Sequence, residues 1–362
     1  MKLLFIAPTI SNFGGVPKIC LTRADYCARV WGDKVHFISQ NEAGKKPFFD
    51  VDASIIFHNI ELGKKNLIFF SSYIKQVQAL VNSIQPDIIL VFDNGLKAFL
   101  LPYFLKTSAK TVFECHSALD VQEQSTTVLF DRIGAPLYKI FKKAAVKRYD
   151  LFLALSKASV NEWKVRKNYV IVPNFVENKT GKIASLHGKT VLAVARNAYE
   201  KGLDRMLDIW QNVSQQNQDW KLQLITTETG FFDVKQLIAE RKLTNVEIVP
   251  PQQNIDEFYS EASVYMLTSH YEGFPLVLLE AMAFGLVVIA YNCPIGPREI
   301  VKNNENGLLI ENNNQEEYIS KLNLLLKNFD SREKLQHQAI ARASQFSLEE
   351  MMTAFNLKVR LG

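Results

Sequence analysis

Residues 270–282, HYEGFPLVLLEAM, place two acids, Glu272 and Glu280, around a segment that is otherwise almost wholly apolar. Gly273 permits a tight bend and Pro275 suits the first turn of a helix, so we predict a helix that begins at Pro275. Carboxylates accept hydrogen bonds from hydroxyls, and the free N–H groups of a helix start favour anions. The spacing predicts a site for a ligand that carries hydroxyls and phosphates. The alternative is an ordinary helix acid at Glu272 and a surface position at Glu280.

Two cations follow a predicted strand over residues 190–195. Arg196 comes directly after this strand, and Lys201-Gly202 open the next predicted helix. Cations at the carboxyl end of a strand suit a diphosphate, because they form charge-assisted hydrogen bonds with phosphate oxygens. The alternative is a solvated loop with two exposed charges.

A glycine pair, Gly14-Gly15, lies between the first predicted strand and the first predicted helix. Such a pair lets the backbone approach a phosphate or a sugar at the helix N-terminus, and it equally fits a tight turn that needs a positive φ. The full GxGxxG fingerprint is missing, which disfavours a dinucleotide-binding dehydrogenase. His116, at the end of another predicted strand, is either a functional histidine or a capping or packing one.

Short apolar runs alternate with amphipathic stretches along the whole chain, which indicates parallel sheets covered by helices on both faces. We therefore predict an α/β protein with two Rossmann-like, doubly wound domains that face a central cleft. The first domain covers residues 1–176, and a polar stretch at 177–188 is the linker. The second domain covers residues 189–345, and a C-terminal helix at 346–362 is expected to pack back on the first domain.

The composition is that of an ordinary globular protein, and 362 residues suit two domains. The formal net charge of +5 fits an anionic small ligand or an anionic membrane surface, and it is too small to indicate nucleic acid. Four cysteines without CxxC spacing indicate buried, reduced thiols. No stretch has the length and composition of a transmembrane segment, and the N-terminus is interpreted as a strand instead of a signal peptide.

The stretch EGFPLVLLEA resembles the E-x7-E motif of retaining glycosyltransferases of family four (group 1), which have the GT-B fold. Other pieces agree in order and spacing: GG after the first strand, R-x4-KG at the opening of the second domain, and GPREIVKNNENGLLI at residues 296–310. The resemblance covers nearly the whole chain and is strongest from 191 to 310. One departure is Val249-Pro250-Pro251, which stands where the family often has a glycine before the base-binding loop.

The resemblance implies catalytic roles for Arg196 and Lys201 at the donor diphosphate, for Glu272 at the transferred sugar and for His116 on the acceptor side. It implies donor-binding roles for a further set: Gly14, Gly15, Gly273, Phe274, Leu276, Val277 and Glu280. Within this set the two N-terminal glycines line the donor site from the first domain, the backbone beside Glu272 flanks the sugar, the amides at the helix start meet the phosphate, and Glu280 binds the ribose.

No strong protein nucleophile is needed for the implied reaction, because the leaving diphosphate accepts the acceptor's proton on the same face of the sugar. One competing motif is Asp50-Val51-Asp52, a DxD of the kind that binds metal in the other large glycosyltransferase fold. A short DxD arises often by chance, and we interpret it as a solvated loop. We therefore expect no cofactor and no essential divalent metal.

The resemblance implies transfer of a hexose or N-acetylhexosamine from a nucleotide sugar, most simply a UDP-sugar, to a glycan or lipid-linked acceptor. Bacterial surface polysaccharide, lipopolysaccharide or lipid-linked oligosaccharide synthesis is the implied setting. Two alternatives remain at this point. A sugar-nucleotide epimerase of the same architecture would convert a UDP-sugar without an acceptor, and a non-catalytic partner would bind a nucleotide sugar without turnover.

Residues 138–148, YKIFKKAAVKR, read as a basic amphipathic helix. Such a helix can lie on an anionic membrane, and the alternative is an ordinary surface helix packed on the sheet. We expect a cytoplasmic protein with peripheral contact at the inner face of the cell membrane. Acceptor specificity is expected in two first-domain loops, at residues 41–66 and 117–133.

Overall fold

The structure is a computed structural model that describes residues 1–63, 67–116, 119, 135–178 and 180–362. The chain forms two compact units. Unit 1 contains Met1–Pro173 together with Met352–Gly362, and unit 2 contains Asn174–Met351.

Unit 1 is built on a seven-stranded sheet in which every neighbouring pair of strands is parallel. Its strands are β1 (Lys2–Ile6), β2 (Lys34–Gln40), β3 (Ile56–Ile60), β4 (Ile88–Val91), β5 (Lys110–Cys115), β6 (Leu151–Ala154) and β7 (Tyr169–Ile171). The spatial order is β3-β2-β1-β4-β5-β6-β7, so the winding direction reverses between β1 and β4.

Over the described residues, five helices lie between the strands of unit 1. They are α1 (Gly15–Arg29), α2 (Leu67–Ile84), α3 (Leu96–Phe104), α4 (Ala135–Val146) and α5 (Lys157–Trp163). The central strands are apolar on both faces, and β4 and β6 are buried at every position, as expected for a parallel sheet covered on both sides.

Unit 2 is built on a six-stranded parallel sheet with the order β10-β9-β8-β11-β12-β13. Its strands are β8 (Thr190–Val194), β9 (Lys221–Ile225), β10 (Val246–Val249), β11 (Val264–Leu267), β12 (Val287–Asn292) and β13 (Leu308–Glu311). Its helices are α6 (Leu203–Gln216), α7 (Val234–Glu240), α8 (Asp256–Glu261), α9 (Leu276–Ala283), α10 (Pro297–Ile300), α11 (Gln315–Lys327) and α12 (Phe329–Ser344). The doubly wound α/β prediction is confirmed for both sheets.

The chain crosses from unit 2 back to unit 1 within the last α-helix, α13 (Leu348–Phe355), and ends in a π-helical turn at Asn356–Arg360. In unit 1 the ring of Phe355 stacks on Trp31 with centroids 6.4 Å apart, and Lys110 Nζ donates to the carbonyl of Val359 at 2.9 Å. Aromatic and polar contacts therefore fix this terminal segment to unit 1.

The stretch predicted as a linker, 177–188, lies inside unit 2. Ala184 and Leu186 are 2% and 1% exposed, and their carbonyls accept hydrogen bonds from Gln336 and Arg332 of α12 at 2.7 Å and 3.1 Å. The stretch is polar overall, but these two apolar residues are buried and attach it to α12. Unit 2 therefore begins at Asn174 instead of 189.

Among the described residues, none of the helices combines the length and the apolar composition that crossing a membrane requires. The four cysteines are buried and reduced, as the sequence indicated.

Candidate functional site

The candidate site of unit 2 lies at the carboxyl ends of β8 and β11, which are neighbours in the sheet. The winding direction of the sheet reverses between these two strands. In open α/β sheets, ligands bind in the crevice at such a switch point. Arg196 and Lys201 follow β8, and Glu272 follows β11, so the topology delivers all three to one edge.

The two loops are joined through Gly202, the residue before α6. Its φ is +59°, and a Cβ atom placed on it would lie 2.4 Å from the carbonyl oxygen of Thr268. The Thr268 hydroxyl donates to the Gly202 carbonyl at 2.9 Å, and the His270 amide donates to the Glu200 carbonyl at 2.8 Å. Only glycine combines this backbone conformation with so close an approach, so Gly202 fixes where Lys201 stands.

An ion pair joins the two loops at their side chains. Lys201 Nζ lies 2.8 Å from Glu272 Oε1, and the side chains are 19% and 9% exposed. Ser269 Oγ donates to the same carboxylate oxygen at 2.7 Å. Charge-assisted hydrogen bonds of this kind are short and directional, so Glu272 is held in one orientation. Both contacts use Oε1 and neither uses Oε2.

The loop after β12 closes against Glu272. The Gly296 amide donates to the Glu272 carbonyl at 3.2 Å, and a Cβ atom on Gly296 would lie 2.7 Å from Pro275 Cδ. Its neighbour Ile295 has a φ of +77°, which is a strained conformation for a β-branched residue. Strain of this kind costs about 1–3 kcal/mol and concentrates at functional sites.

A buried thiol lies beside this cluster. Burial, followed by the negative charge of Glu272, raises the pKa of Cys293 to about 12. Cys293 is therefore a neutral packing residue near neutral pH and has no nucleophilic character.

The helix α9 begins one residue later than predicted, at Leu276, with Pro275 as its N-cap. The side chains of Phe274 and Leu276 are buried, and Phe274 packs against Phe346 with ring centroids 5.8 Å apart. Phe274 and Leu276 therefore have only their backbone available to a ligand, whereas the Val277 side chain is half-buried. The first N–H groups of a helix have no acceptor within the helix, which suits an anion.

Glu280 lies in the second turn of α9 and is 7% exposed. The Tyr259 hydroxyl of α8 donates to Glu280 Oε2 at 2.8 Å. Burial and the adjacent Glu280 carboxylate raise the pKa of Tyr259 well above its usual value, so the phenol remains protonated and stays a donor. The alternative of a surface position for Glu280 is wrong, because its side chain is enclosed in unit 2.

Arg196 occupies a different environment from Lys201. Its side chain is 53% exposed, and Nη2 lies 2.8 Å from Glu200 Oε1. The adjacent Asn197 ties this loop to the loop after β9, with its amide group donating to the carbonyls of Thr227 and Phe232 at 3.0 Å and 2.8 Å. The structure therefore pairs Arg196 with Glu200, on a loop whose backbone is fixed.

In unit 1 the glycine pair lies where β1 gives way to α1. Gly14 is the N-cap residue of α1 and has a φ of −72°, so it adopts no left-handed conformation. A Cβ atom on Gly14 would meet its nearest neighbour, Pro17 Cδ, at 3.6 Å, an ordinary contact. The tight-turn interpretation that required a positive φ is therefore wrong for Gly14. Gly15 is the first residue of α1.

His116 lies at the end of β5 in a buried polar network. Its Nε2 is 2.9 Å from Glu114 Oε1, and Glu114 also pairs with Arg23. The His116 side chain is 2% exposed, and its ring stacks on Phe92 at 5.6 Å. Burial raises the pKa of Glu114, but Arg23 and His116 outweigh this and hold it below its usual value. The structure places His116 in a packing environment, the alternative left open by the sequence.

At Asp52 the structure has a loop, which agrees with the interpretation of the DxD segment. Asp52 accepts a hydrogen bond from the Ser54 amide at 2.8 Å, and its amide donates to Asp25 at 2.8 Å. Over the described part of the chain, no group of three or more His, Cys, Asp or Glu side chains is arranged to hold a metal ion. The expected acceptor loop at 117–133 lies outside the described residues, except for Leu119, and the loop at 41–66 is described up to residue 63.

The contacts of several site residues escaped sequence reasoning. Ser269 and Tyr259 bind the two predicted acids, and Gly202 and Gly296 allow the loops to meet. Gly202 and Gly296 lie in the stretches R-x4-KG and GPREIVK, but nothing in the local sequence shows which residues these four contact. Their roles arise from contacts between separate βα units.

Comparisons with known proteins agree with this architecture. Residues 177–342 match the family model described as "Glycosyl transferases group 1". A relative from Haemophilus influenzae, described as an uncharacterized glycosyltransferase, is 31% identical over 335 residues, which is 90% of this chain and 91% of the relative. The lipopolysaccharide 1,6-galactosyltransferase of Escherichia coli K12 is 25% identical over 339 residues, 89% of this chain and 88% of that protein.

The fold is also shared with solved structures. A single-residue mutant of TarM from S. aureus, solved in complex with fondaparinux, alpha-GlcNAc-glycerol and UDP, superposes with a TM-score of 0.80. It is 13% identical, and the match covers 99% of each chain. The length and identity of the match with the Haemophilus relative, together with this fold, show that the chain belongs to the group 1 glycosyl transferases and has the GT-B fold.

Proposed function

We propose that this glycosyltransferase transfers a hexose or N-acetylhexosamine from a UDP-sugar to a glycan or lipid-linked acceptor, with retention of anomeric configuration and without a divalent metal. The observation that carries the proposal is the Lys201–Glu272 ion pair at the carboxyl ends of β8 and β11. It supports the proposal because a lysine, a cation of the kind that binds diphosphates, lies beside a fixed carboxylate, which accepts hydrogen bonds from hydroxyls.

Each predicted residue has a distinct task in this proposal. Lys201 neutralises charge on the leaving diphosphate, and Arg196 joins it by exchanging Glu200 for a phosphate oxygen. Glu272 accepts a sugar hydroxyl at Oε2, because its contacts with Lys201 and Ser269 use Oε1. Electrostatic groups fixed in this way stabilise charge that develops in the transition state.

The nucleoside end of the donor is assigned to α9 and its N-terminus. The amides of Leu276 and Val277 meet a phosphate, and the backbone of Gly273 and Phe274 flanks the sugar. Glu280 binds the ribose and is oriented by the Tyr259 hydroxyl at 2.8 Å.

Unit 1 supplies the remaining groups of the proposal. Gly14 and Gly15 line the donor site by backbone approach. Neither the dihedral angles of Gly14 nor its packing requires a glycine, so contact with a ligand is a remaining reason for a glycine there. His116 serves the acceptor side through its position at the end of β5. Its 2% side-chain exposure requires a local rearrangement before it can contact an acceptor.

The class of acceptor is inferred from the relatives. The Escherichia coli relative is a lipopolysaccharide galactosyltransferase, and the TarM complex contains UDP. These names support a bacterial surface polysaccharide, lipopolysaccharide or lipid-linked oligosaccharide as the product and UDP as the carrier. We propose that the reaction takes place in the cytoplasm, at the inner face of the cell membrane.

A donor screen on the purified protein tests this proposal. UDP-glucose, UDP-galactose, UDP-GlcNAc, UDP-GalNAc and GDP-mannose are each titrated calorimetrically in EDTA, and release of free nucleotide is followed in parallel. We expect one UDP-sugar to bind and to be slowly hydrolysed. Lys201→Met should lower the rate about 10²–10³-fold, as expected for loss of one electrostatic stabiliser.

The matched control is Lys221→Met, which removes an exposed lysine paired with Glu247 on the same unit. It should leave binding and turnover unchanged. Conversion of a UDP-sugar to its epimer without acceptor would identify an epimerase, and absence of binding to every donor would indicate a non-catalytic partner. Once an acceptor is found, inversion at the anomeric carbon by NMR, or a requirement for Mn²⁺ or Mg²⁺, would refute the corresponding part of the mechanism.

A further inference from the structure

An exposed apolar surface is formed by α3 and α4 of unit 1. These helices pack side by side: the ring of Tyr103 stacks on Phe141 with centroids 6.3 Å apart. Four large apolar side chains are exposed, at 39% for Tyr103, 53% for Phe104, 62% for Leu137 and 65% for Ile140. We name these four residues the α3–α4 face.

The exposed stripe of α4 has the opposite composition from that of an ordinary surface helix. Leu137, Ile140 and Ala144 are exposed and recur at helical spacing, whereas Lys139 and Lys143 are half-buried beside them. An apolar outer stripe leaves hydrophobic surface uncovered by the described part of the chain. The basic amphipathic helix predicted from the sequence is therefore oriented with apolar side chains facing outward.

The helices around this face contribute charges of one sign. Helices α2, α3 and α4 contain no Asp or Glu, and α4 is followed directly by Lys147 and Arg148. Lys147 is exposed, and the guanidinium of Arg148 lies 4.3 Å from the ring centre of Tyr103. Apolar side chains bordered by cations match the boundary between acyl chains and anionic headgroups of a bilayer.

We infer that the α3–α4 face docks unit 1 on an anionic lipid bilayer, with Phe104, Leu137 and Ile140 inserted among the acyl chains and the lysines at the headgroups. A bilayer leaves the heads of Lys143, Lys147 and Arg148 in the headgroup layer, where anionic lipids complement them, whereas a protein partner would have to supply acids for these three cations. The inference goes beyond the proposed function, because it needs neither donor nor turnover. It would place the enzyme beside a lipid-linked acceptor.

Vesicle flotation tests the inference on the full chain. Phosphatidylcholine vesicles with and without phosphatidylglycerol are the probes. We expect binding that requires phosphatidylglycerol and weakens with salt. Lys143→Gln with Lys147→Gln should weaken it about 25-fold, at about five-fold for each cation. Leu137→Ser with Ile140→Ser should weaken it at least about ten-fold without changing net charge.

The matched control lies on α11, where Leu324 is 52% exposed and lysines are also present. Leu324→Ser with Lys327→Gln changes the same residue types and should leave vesicle binding intact. Near-ultraviolet circular dichroism checks that each variant is folded. The inference is overturned if the wild-type chain does not float, if both face variants float like wild type, or if Leu137→Ser with Ile140→Ser instead abolishes self-association without lipid.

A different part of unit 1 contains a buried carboxylate that holds the loop between β1 and α1. Glu42 is 6% exposed, and it accepts hydrogen bonds from the Thr9 hydroxyl at 2.6 Å, the Ile10 amide at 2.5 Å and the Ser11 hydroxyl at 2.5 Å. One side chain thus fixes three successive residues. The segment they belong to leads directly to Gly14.

From this geometry we infer that Glu42 is a positioning residue, which holds the β1–α1 loop, and with it the Gly14-Gly15 backbone, in one conformation. The inference rests on the proposed function, since it needs the glycine pair to contact the donor. Hydrogen bonds to a charged acceptor are stronger than neutral ones, so one carboxylate can hold a loop that lies between a strand and a helix.

Calorimetric titration with UDP and steady-state kinetics test this role. We expect Glu42→Gln to raise the donor KM about ten-fold with a smaller change in kcat, and Ser11→Ala to have a weaker effect of the same kind. A purely structural role would lower the thermal midpoint and leave KM unchanged, and that result would overturn the inference. If the wild-type chain binds no UDP, the proposed function fails instead.

Discussion

Replacing Gly202 by alanine tests how the two halves of the candidate site are joined. Gly202 has a φ of +59°, and its added Cβ would lie 2.4 Å from the Thr268 carbonyl oxygen and 3.3 Å from Arg205 Cδ. The left-handed conformation costs a non-glycine residue about 1–2 kcal/mol. Relief of the contact with Thr268 requires a backbone shift, which adds about 1–3 kcal/mol.

Gly181 is the matched control in the same unit. It has a φ of +66°, and nothing lies within 4 Å of its added Cβ among the described residues. Gly181→Ala should therefore show the conformational cost alone, about 1–2 kcal/mol. Both substitutions reduce the entropy of the unfolded chain equally, so this contribution cancels in the comparison. The difference between the two variants measures the close approach of the two loops.

Unfolding in urea is monitored by amide hydrogen exchange in β8 and β11, so that the measured free energy is that of unit 2. We expect Gly202→Ala to lower the free energy of unfolding by about 1–3 kcal/mol more than Gly181→Ala does. Because the shift displaces Lys201, UDP binding should weaken in Gly202→Ala and remain unchanged in Gly181→Ala. Equal stabilities of the two variants, or unchanged UDP affinity in both, would refute the argument that this contact sets the site.

Two further predictions concern a buried polar pair, Tyr259 with Glu280, and a half-buried one, His36 with His58. Tyr259→Phe removes the hydroxyl bound to Glu280, so it should lower the free energy of unfolding by about 1.5–3 kcal/mol and weaken UDP binding; unchanged values in urea unfolding and calorimetry would contradict the pairing. His36 Nδ1 and His58 Nε2 lie 3.0 Å apart, and burial lowers the pKa of both, helped at His36 by the charge of His58. The stability contributed by the neutral pair is therefore present above the unfolded pKa of about 6.5 and is lost as the pH falls through the lower folded values. Urea midpoints measured across this range should fall in the wild type and less in His36→Gln, and parallel curves would disprove the coupling.

The amino-acid sequence determined the class of fold. Continuous apolar runs such as β4 and β11 cannot be half-exposed strands, so they required a sheet covered on both faces. Elements without such a run were missed: β3 contains His58 and Asn59 at a sheet edge, and α3 is apolar at nearly every position and lacks helical periodicity.

The sequence also marked the chemistry of the candidate site. Glu272 and Glu280 stood out because acids are costly in an apolar environment, and Lys201 because it followed the end of a strand. The start of α9 was within one residue of its prediction, since Pro275 limits where the helix can begin.

The tertiary structure decided which of these groups meet. Lys201 and Glu272 are 71 residues apart in the chain, and their pairing depends on β8 and β11 being neighbours in the sheet. Burial was equally unreadable beforehand: the lone His116 became enclosed, and Leu137 of a basic helix became exposed. A side chain's residue type is a local property, whereas its neighbours and its exposure depend on how separate segments pack, and packing belongs to the whole fold.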